Sequence, residues 1–231
     1  MNILMLMMGG VGSRFGMDTP KQYTLIDGKP IFLGILEHYE KLGCISLAVV
    51  VAQPEWHEKI REWCSGIGIP LLLANGGSTR SESVRNGFDA MKDRAHDEDV
   101  VLVHDATHPY LDSRKTLEAI ELIRKHGAAT LASFGYDTVY MLNENGNIGS
   151  VIPRTKVVNG ASPEGFLFEK ISNVYRNATQ EELEKMTSVG AIARANNIEM
   201  CFVQTDVPNL KITFQRDMAL YLLIKDSLLY V

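Results

Sequence analysis

The sequence predicts an α/β protein: a Rossmann-like, mostly parallel open sheet with helices on both faces and a β-arm projecting from it. Three observations carry this. ILMLMM (3–8), SLAVVVA (46–52), PLLLA (70–74) and VVLVHD (100–105) are continuous apolar runs of strand length, as expected of parallel strands covered on both faces. Amphipathic helical patterns fall between and after them, near 30–42, 54–66, 82–94 and 112–126, and alternating strands and helices imply right-handed crossovers. After ATLASF (129–134) the pattern changes. YDTVYMLNENGNIGSVIPRTKVV (136–158) alternates apolar and polar residues around ENGN, and Asn145-Gly146 is a hairpin-closing dipeptide.

Helical patterns return at about 163–175 and 180–196, a strand at 199–204 and a last helix from about 214 to 228. With no linker, repeat or low-complexity stretch, residues 1–231 read as one domain, and 136–160 as an arm within it. A chain of 231 residues, 45% hydrophobic and 22% charged, is long enough for one large core.

Charge and cysteine content narrow the partners. The formal net charge is −5 and the pI about 5.7, so no basic surface is offered to nucleic acid or an anionic membrane. Phosphate binding must therefore be local. Cys44, Cys64 and Cys201 are odd in number and scattered, which predicts free thiols in a reducing cytoplasm. MNILMLMM runs into glycines without a basic n-region, and no apolar stretch approaches ~20 residues. Neither a signal peptide nor a membrane span is expected.

In open α/β sheets ligands sit outside the carboxyl ends of the strands. The loop MMGGVGSRFGMDTPKQY (7–23) follows the first strand, and NGGSTR and HDATHP follow later ones, so all three should line one crevice. Gly9, Gly10 and Gly12 let backbone N–H groups approach phosphate oxygens, while Arg14 and Lys21 add positive charge. Together they suit a triphosphate. A Walker A loop is excluded because Lys21 follows Pro20 and precedes Gln22. A dinucleotide fold would need its last glycine one place earlier and no proline where the phosphate-binding helix begins. A bare reversing turn would account for the glycines, but not for Arg14 and Pro20-Lys21-Gln22. His104 and His108 are four apart, but Pro109 argues against an aligning helix and no H-E-x-x-H glutamate lies between. His104 reads as structural.

Six blocks in order resemble the cytidylyltransferases that make CDP-methylerythritol and their ribitol-phosphate relatives. These are MMGGVGSRFGMDTPKQYTLIDGKPI, GGSTRSESVRNG (76–87), VLVHDATHPYL (101–111), YDT (136–138), IPR (152–154) and PNLKIT (208–213). The resemblance implies a nucleotide-diphospho-sugar transferase-like fold and attack by a substrate phosphate on the α-phosphorus of CTP, with Mg²⁺ present and pyrophosphate leaving. It casts Arg14, Lys21 and Lys211 as catalytic cations, Lys211 also orienting the attacking phosphate. It places Met8, Gly9, Gly10, Gly12, Gly77, Ser78, Ser83 and Asp105 on the nucleotide, with Asp105 also on the metal. Thr138 and Arg154 become acceptor contacts from an arm that interlocks with a second subunit, which implies a homodimer. Arg80 matches the second block, in a supporting role or a surface ion pair.

The acceptor half departs from the family pattern. Ala161-Ser162-Pro163-Glu164 replaces Q-T-P-Q, Thr187-Ser188-Val189 replaces T-D-D or T-D-A, and His108 stands where the family has arginine. The expected acceptor is 2-C-methyl-D-erythritol 4-phosphate. The alternatives are ribitol 5-phosphate or another alditol phosphate, or a catalytically weak nucleotide-binding protein on the same fold.

Overall fold

The computed structural model describes residues 1–10, 19–185 and 188–225. The chain runs through β1 (Asn2–Met7), a two-stranded ribbon of β2 (Leu25–Ile26) and β3 (Lys29–Pro30), α1 (Ile31–Leu42), β4 (Leu47–Ala52), α2 (His57–Trp63), β5 (Leu71–Asn75), α3 (Arg80–Met91), β6 (Val100–Asp105), α4 (Ser113–His126) and β7 (Ala128–Phe134). It continues through β8 (Val139–Leu142), β9 (Ile148–Ile152), β10 (Val158–Leu167), α5 (Phe168–Asn177), α6 (Gln180–Lys185), α7 (Val189–Ala195), β11 (Cys201–Gln204) and α8 (Gln215–Ile224).

Seven strands form one sheet in the order β11-β7-β10-β6-β1-β4-β5. β1 pairs parallel with β4 and β6, β4 with β5, and β7 with β11. The exception is β10, antiparallel to both β6 and β7. The continuous apolar runs are explained by burial on both faces. Leu4, Leu6, Val50 and Leu102 pack with Phe32, Leu36 and Ile120 of α1 and α4. Ile3, Met5, Val49 and Val103 pack with Phe88, Ile171 and Ile192 of α3, α5 and α7. No helix among the described residues is long and apolar enough to cross a membrane, and all three cysteines are free.

Local chemistry sets the helix ends. Thr79 caps α3 by accepting from the Glu82 N–H, and Asp112 caps α4 by accepting from Lys115 N–H, each satisfying an otherwise orphaned donor. Gly127, at φ 99°, ends α4 in the left-handed region that glycine enters without a Cβ penalty.

Two expectations are corrected. The helix expected from 163 is instead the long strand β10, and α5 begins only at Phe168. Pro163 and the glycines obscured the strand pattern, and the register shifts between Ala161 and Glu164, a bulge of the kind that re-aims side chains. Gly165 is required there, because a Cβ would collide with Ile123 Cδ1 and approach Leu102 Cδ2 to 2.8 Å. The single helix expected over 180–196 is two helices, α6 and α7, and Ser188 caps the second by accepting from Ala191 N–H at 3.0 Å. The β-arm is an antiparallel pair, β8 with β9.

Candidate functional site: a cleft at the carboxyl ends of the strands

The segments after β1, β4, β5 and β6 meet in one open cleft of about 440 Å³. Met8 N–H continues the β1 ladder by donating to Val51 O at 2.8 Å. Beyond it, carbonyls of the glycine loop are gripped from outside. Gln22 Nε2 donates to Met8 O at 2.7 Å and to Gly10 O at 2.8 Å, and Gln53 Nε2 donates to Gly9 O at 3.0 Å. Gly9 is tightly fitted: an added Cβ would lie 3.0 Å from Ser83 Oγ and 3.3 Å from Gly76 Cα. Lys21 reaches the cleft from a short 3-10 turn, Lys21–Tyr23. Gly12 and Arg14 lie outside the described residues.

The second wall is the loop before α3. Ser83 Oγ accepts from Gly77 N–H and donates to Thr79 O, both at 2.9 Å. Ser78 N–H and Oγ both donate to Glu82 Oε2, at 2.7 and 2.6 Å. The loop is thus tied to the first turn of its own helix.

Charge is concentrated on the third wall. Asp105, at the end of β6, accepts from Arg80 Nη2 on Oδ1 at 2.9 Å and from Lys211 Nζ on Oδ2 at 2.6 Å. Burial works against ionisation of Asp105, but Arg80 and then Lys211 hold its carboxyl well below the usual carboxylate range. Burial likewise opposes the charge on Arg80, and Asp105 with Glu164 more than restores it. Lys211 is brought here by the segment before α8, which is tied to the β6 loop by Ile212 N–H donating to Thr107 O at 2.9 Å.

Behind Asp105 lies a polar layer. Ser162 Oγ, turned inward at the β10 bulge, shares a 2.6 Å hydrogen bond with His108 Nδ1 and accepts a long one, 3.4 Å, from Asp105 N–H. Burial pushes His108 down to about 3, so the imidazole is neutral at pH 7. His104 is fully buried, shares hydrogen bonds with Tyr39 OH and His108 O, and is pushed by burial to about 4. With both of its nitrogens engaged it plays the structural part expected of it. Glu164 accepts from Gly190 N–H at 2.5 Å, and burial raises its carboxyl against the pull of Arg80.

The cleft therefore gathers Met8, Gly9, Gly10, Lys21, Gly77, Ser78, Ser83, Asp105 and Lys211. Thr138 and Arg154 are not among its lining residues. Both lie on the arm, where Arg154 Nη1 donates to Tyr136 O at 2.8 Å. Sequence reasoning missed Gln22 and Gln53 as site residues and marked Glu164 only as a departure from the family pattern. Gln22 was legible in P-K-Q-Y, whereas Gln53 carried no local signal.

A sequence profile of the 2-C-methyl-D-erythritol 4-phosphate cytidylyltransferases (IspD) matches residues 3–225. A ribitol-5-phosphate cytidylyltransferase of Streptococcus agalactiae serotype V is 26% identical over 230 residues, covering 98% of this chain and 96% of the relative. A bifunctional IspD/IspF enzyme of Chelativorans sp. BNC1 is 30% identical over 91% of this chain and 52% of its own length. The fold is shared with 4-diphosphocytidyl-2C-methyl-D-erythritol synthase of Anaerococcus prevotii (TM-score 0.80, 20% identity, 95% of each chain). It is shared too with 2-C-methyl-D-erythritol 4-phosphate cytidylyltransferase of Francisella tularensis (TM-score 0.77, 22% identity, 96% and 98%). The mostly parallel sheet, the glycine loop with Lys21 and the Arg80–Asp105–Lys211 cluster at its carboxyl edge, and the profile match over nearly the whole chain place this protein in the IspD cytidylyltransferase family.

Proposed function

We propose that this cytidylyltransferase joins CTP to 2-C-methyl-D-erythritol 4-phosphate, releasing pyrophosphate. The observation that carries the reading is the convergence of Lys21, Arg80 and Lys211 on a cleft floored by the glycine loop. Two anionic reactants must meet there, and fixed cations reduce both their repulsion and the charge of the transition state. An oxygen of the acceptor phosphate attacks the α-phosphorus, the bond to the β-phosphate oxygen breaks, and pyrophosphate leaves with the electron pair.

Lys21, with Arg14, is assigned to the triphosphate. Met8, Gly9, Gly10 and Gly12 are assigned to backbone contact with the nucleotide, together with Gly77, Ser78 and Ser83. Lys211, half exposed and held at Asp105, is assigned to the attacking phosphate, which it reaches by exchanging one oxygen anion for another. Mg²⁺ fits Asp105. Oδ1 accepts from Arg80 and Oδ2 from Lys211, each carboxylate oxygen has a second lone pair, and Mg²⁺ is commonly held by one carboxylate completed by phosphates and water. Among the described residues no cluster of three His, Cys, Asp or Glu could hold a metal, so the ion would depend on the nucleotide's own oxygens. When bound it would neutralise phosphate charge.

Thr138 and Arg154 are assigned to the acceptor of a second copy. The arm supports this by exposing Tyr140, Leu142, Ile148 and Val151, all more than half accessible, an apolar surface that a two-stranded hairpin cannot bury alone. A second reading, ribitol 5-phosphate as acceptor, is favoured by the near full-length match to the streptococcal relative. The test is Mg²⁺-dependent pyrophosphate release from CTP with methylerythritol 4-phosphate, ribitol 5-phosphate and glycerol phosphates in parallel. Release with the first supports the proposal, release with the second alone transfers it, and silence with all refutes both.

A further inference from the structure

The aromatic cluster beside the glycine loop is not used by the chemistry above. The Tyr23 and Trp56 rings are stacked, centroids 4.0 Å apart and planes 16° from parallel. Trp63 continues the pile at 6.0 Å from Tyr23 and 6.4 Å from Trp56, and Phe32 meets Tyr23 edge-on at 6.2 Å. Tyr23 is buried, while Trp56 and Trp63 are half-buried.

Three consecutive residues of one 3-10 turn thus face three ways. Lys21 lines the cleft, Gln22 holds the Met8 and Gly10 carbonyls, and Tyr23 enters the stack. The turn is closed by Tyr23 N–H to Pro20 O at 2.9 Å and Thr24 N–H to Lys21 O at 3.1 Å, so the backbone position of Tyr23 sets where the Lys21 and Gln22 side chains start. Trp56 belongs to the loop that also supplies Gln53 to Gly9 O, so the segment after β4 braces the phosphate loop both by an amide and by a ring face.

We propose that Trp56 is a positioning residue for the nucleotide site: through its stack on Tyr23 it sets Gln22 and Lys21 against the glycine loop. Trp63, farther from Tyr23, contributes packing without this function. The inference rests on the nucleotide-site reading given above.

The test compares Trp56→Ala, Trp56→Phe and Trp63→Ala in the full chain. It uses calorimetric titration with CTP and amide hydrogen exchange of a peptide spanning 19–24 in the ligand-free protein. Trp56→Ala should raise the Kd for CTP about fivefold or more, on the scale of one lost aromatic pair, and accelerate exchange at Tyr23 and Thr24. Trp56→Phe, which keeps a ring face, should restore both to within about twofold, and Trp63→Ala should leave both within that range. Equal effects of the two alanine variants, or a Trp56→Ala protein within about twofold of the parent, would overturn the assignment. If the parent does not bind CTP, the nucleotide reading fails and the positioning role with it; exchange then still separates the two failures, since acceleration in Trp56→Ala but not Trp63→Ala shows that Trp56 holds the Lys21–Tyr23 turn, and equal rates reject even that coupling. Should Trp56→Ala not fold, Trp56→Leu, with bulk but no ring, takes its place under the same outcomes.

Discussion

Replacing Asp105 with asparagine keeps the shape of the side chain but removes the one acidic group that lines the cleft among the described residues. Its two partners are unequal: the Arg80 side chain is 32% exposed and that of Lys211 48%, against 16% for Asp105 itself. The Arg80 contact is a sheltered charge-assisted hydrogen bond, a class worth about 1.5–3 kcal/mol. The Lys211 contact is half in solvent and belongs to the class worth roughly 0.2–1 kcal/mol. Asparagine retains one acceptor, so Asp105→Asn should cost about 2 kcal/mol. For a chain of this size that is roughly a 4–8 °C fall in Tm.

Urea unfolding followed by circular dichroism at several pH values measures it. Because the folded-state carboxyl titrates below its unfolded value, the stabilisation is fully present above the unfolded value and is lost as pH falls through the folded one. The difference between parent and variant should therefore be level from about pH 5 to 8 and narrow below about pH 4. A difference under about 0.5 kcal/mol at pH 7, or one that widens in acid, would refute the account of Asp105 as the anion that holds two cations in place.

Four further outcomes follow from the same geometry. His104 and His108 are buried neutral and lowered to about 4 and about 3, so the unfolded chain takes up their protons first; stability should fall as pH drops from about 6.5 towards 4, by up to about 1.4 kcal/mol per unit for each group. His104→Gln should remove about half of that slope, and an unchanged slope would show that His104 is not one of its sources. Gly165→Ala should destabilise by about 1–3 kcal/mol through overpacking against Ile123 and Leu102, with unchanged unfolding midpoints as the refuting result. Lys21→Ala should lower kcat by at least about 100-fold at constant Tm, whereas a loss confined to KM would remove it from the transition state. Arg154→Met should weaken use of the acceptor more than that of CTP, and equal effects in steady-state kinetics would withdraw the acceptor contact.

The sequence by itself determined the α/β class, because a strand buried on both faces must be apolar throughout and a helix between two such strands must show a 3.6-residue stripe. Most of the cleft was legible for a related reason. Two glycines, Gly9 and Gly10, directly after a buried strand mark a loop whose backbone a ligand can approach closely, Lys21 follows in the same segment, and all three line the cleft. Long-range partners left no such mark. That Arg80 and Lys211, 25 and 106 residues from Asp105, would share its two oxygens depended on how α3 and the segment before α8 are placed around β6.

The β10 strand was misread because its antiparallel pairing, its bulge and the close packing over Gly165 are properties of its neighbours, not of its own period. The same holds for Ser162 and Glu164. In the sequence they are only departures from a family pattern, whereas tertiary structure gives each a partner, His108 for one and the first turn of α7 for the other. Sequence carries what a residue needs from its immediate backbone and its burial. Only the packed sheet decides which distant group meets it, because that depends on strand order and register.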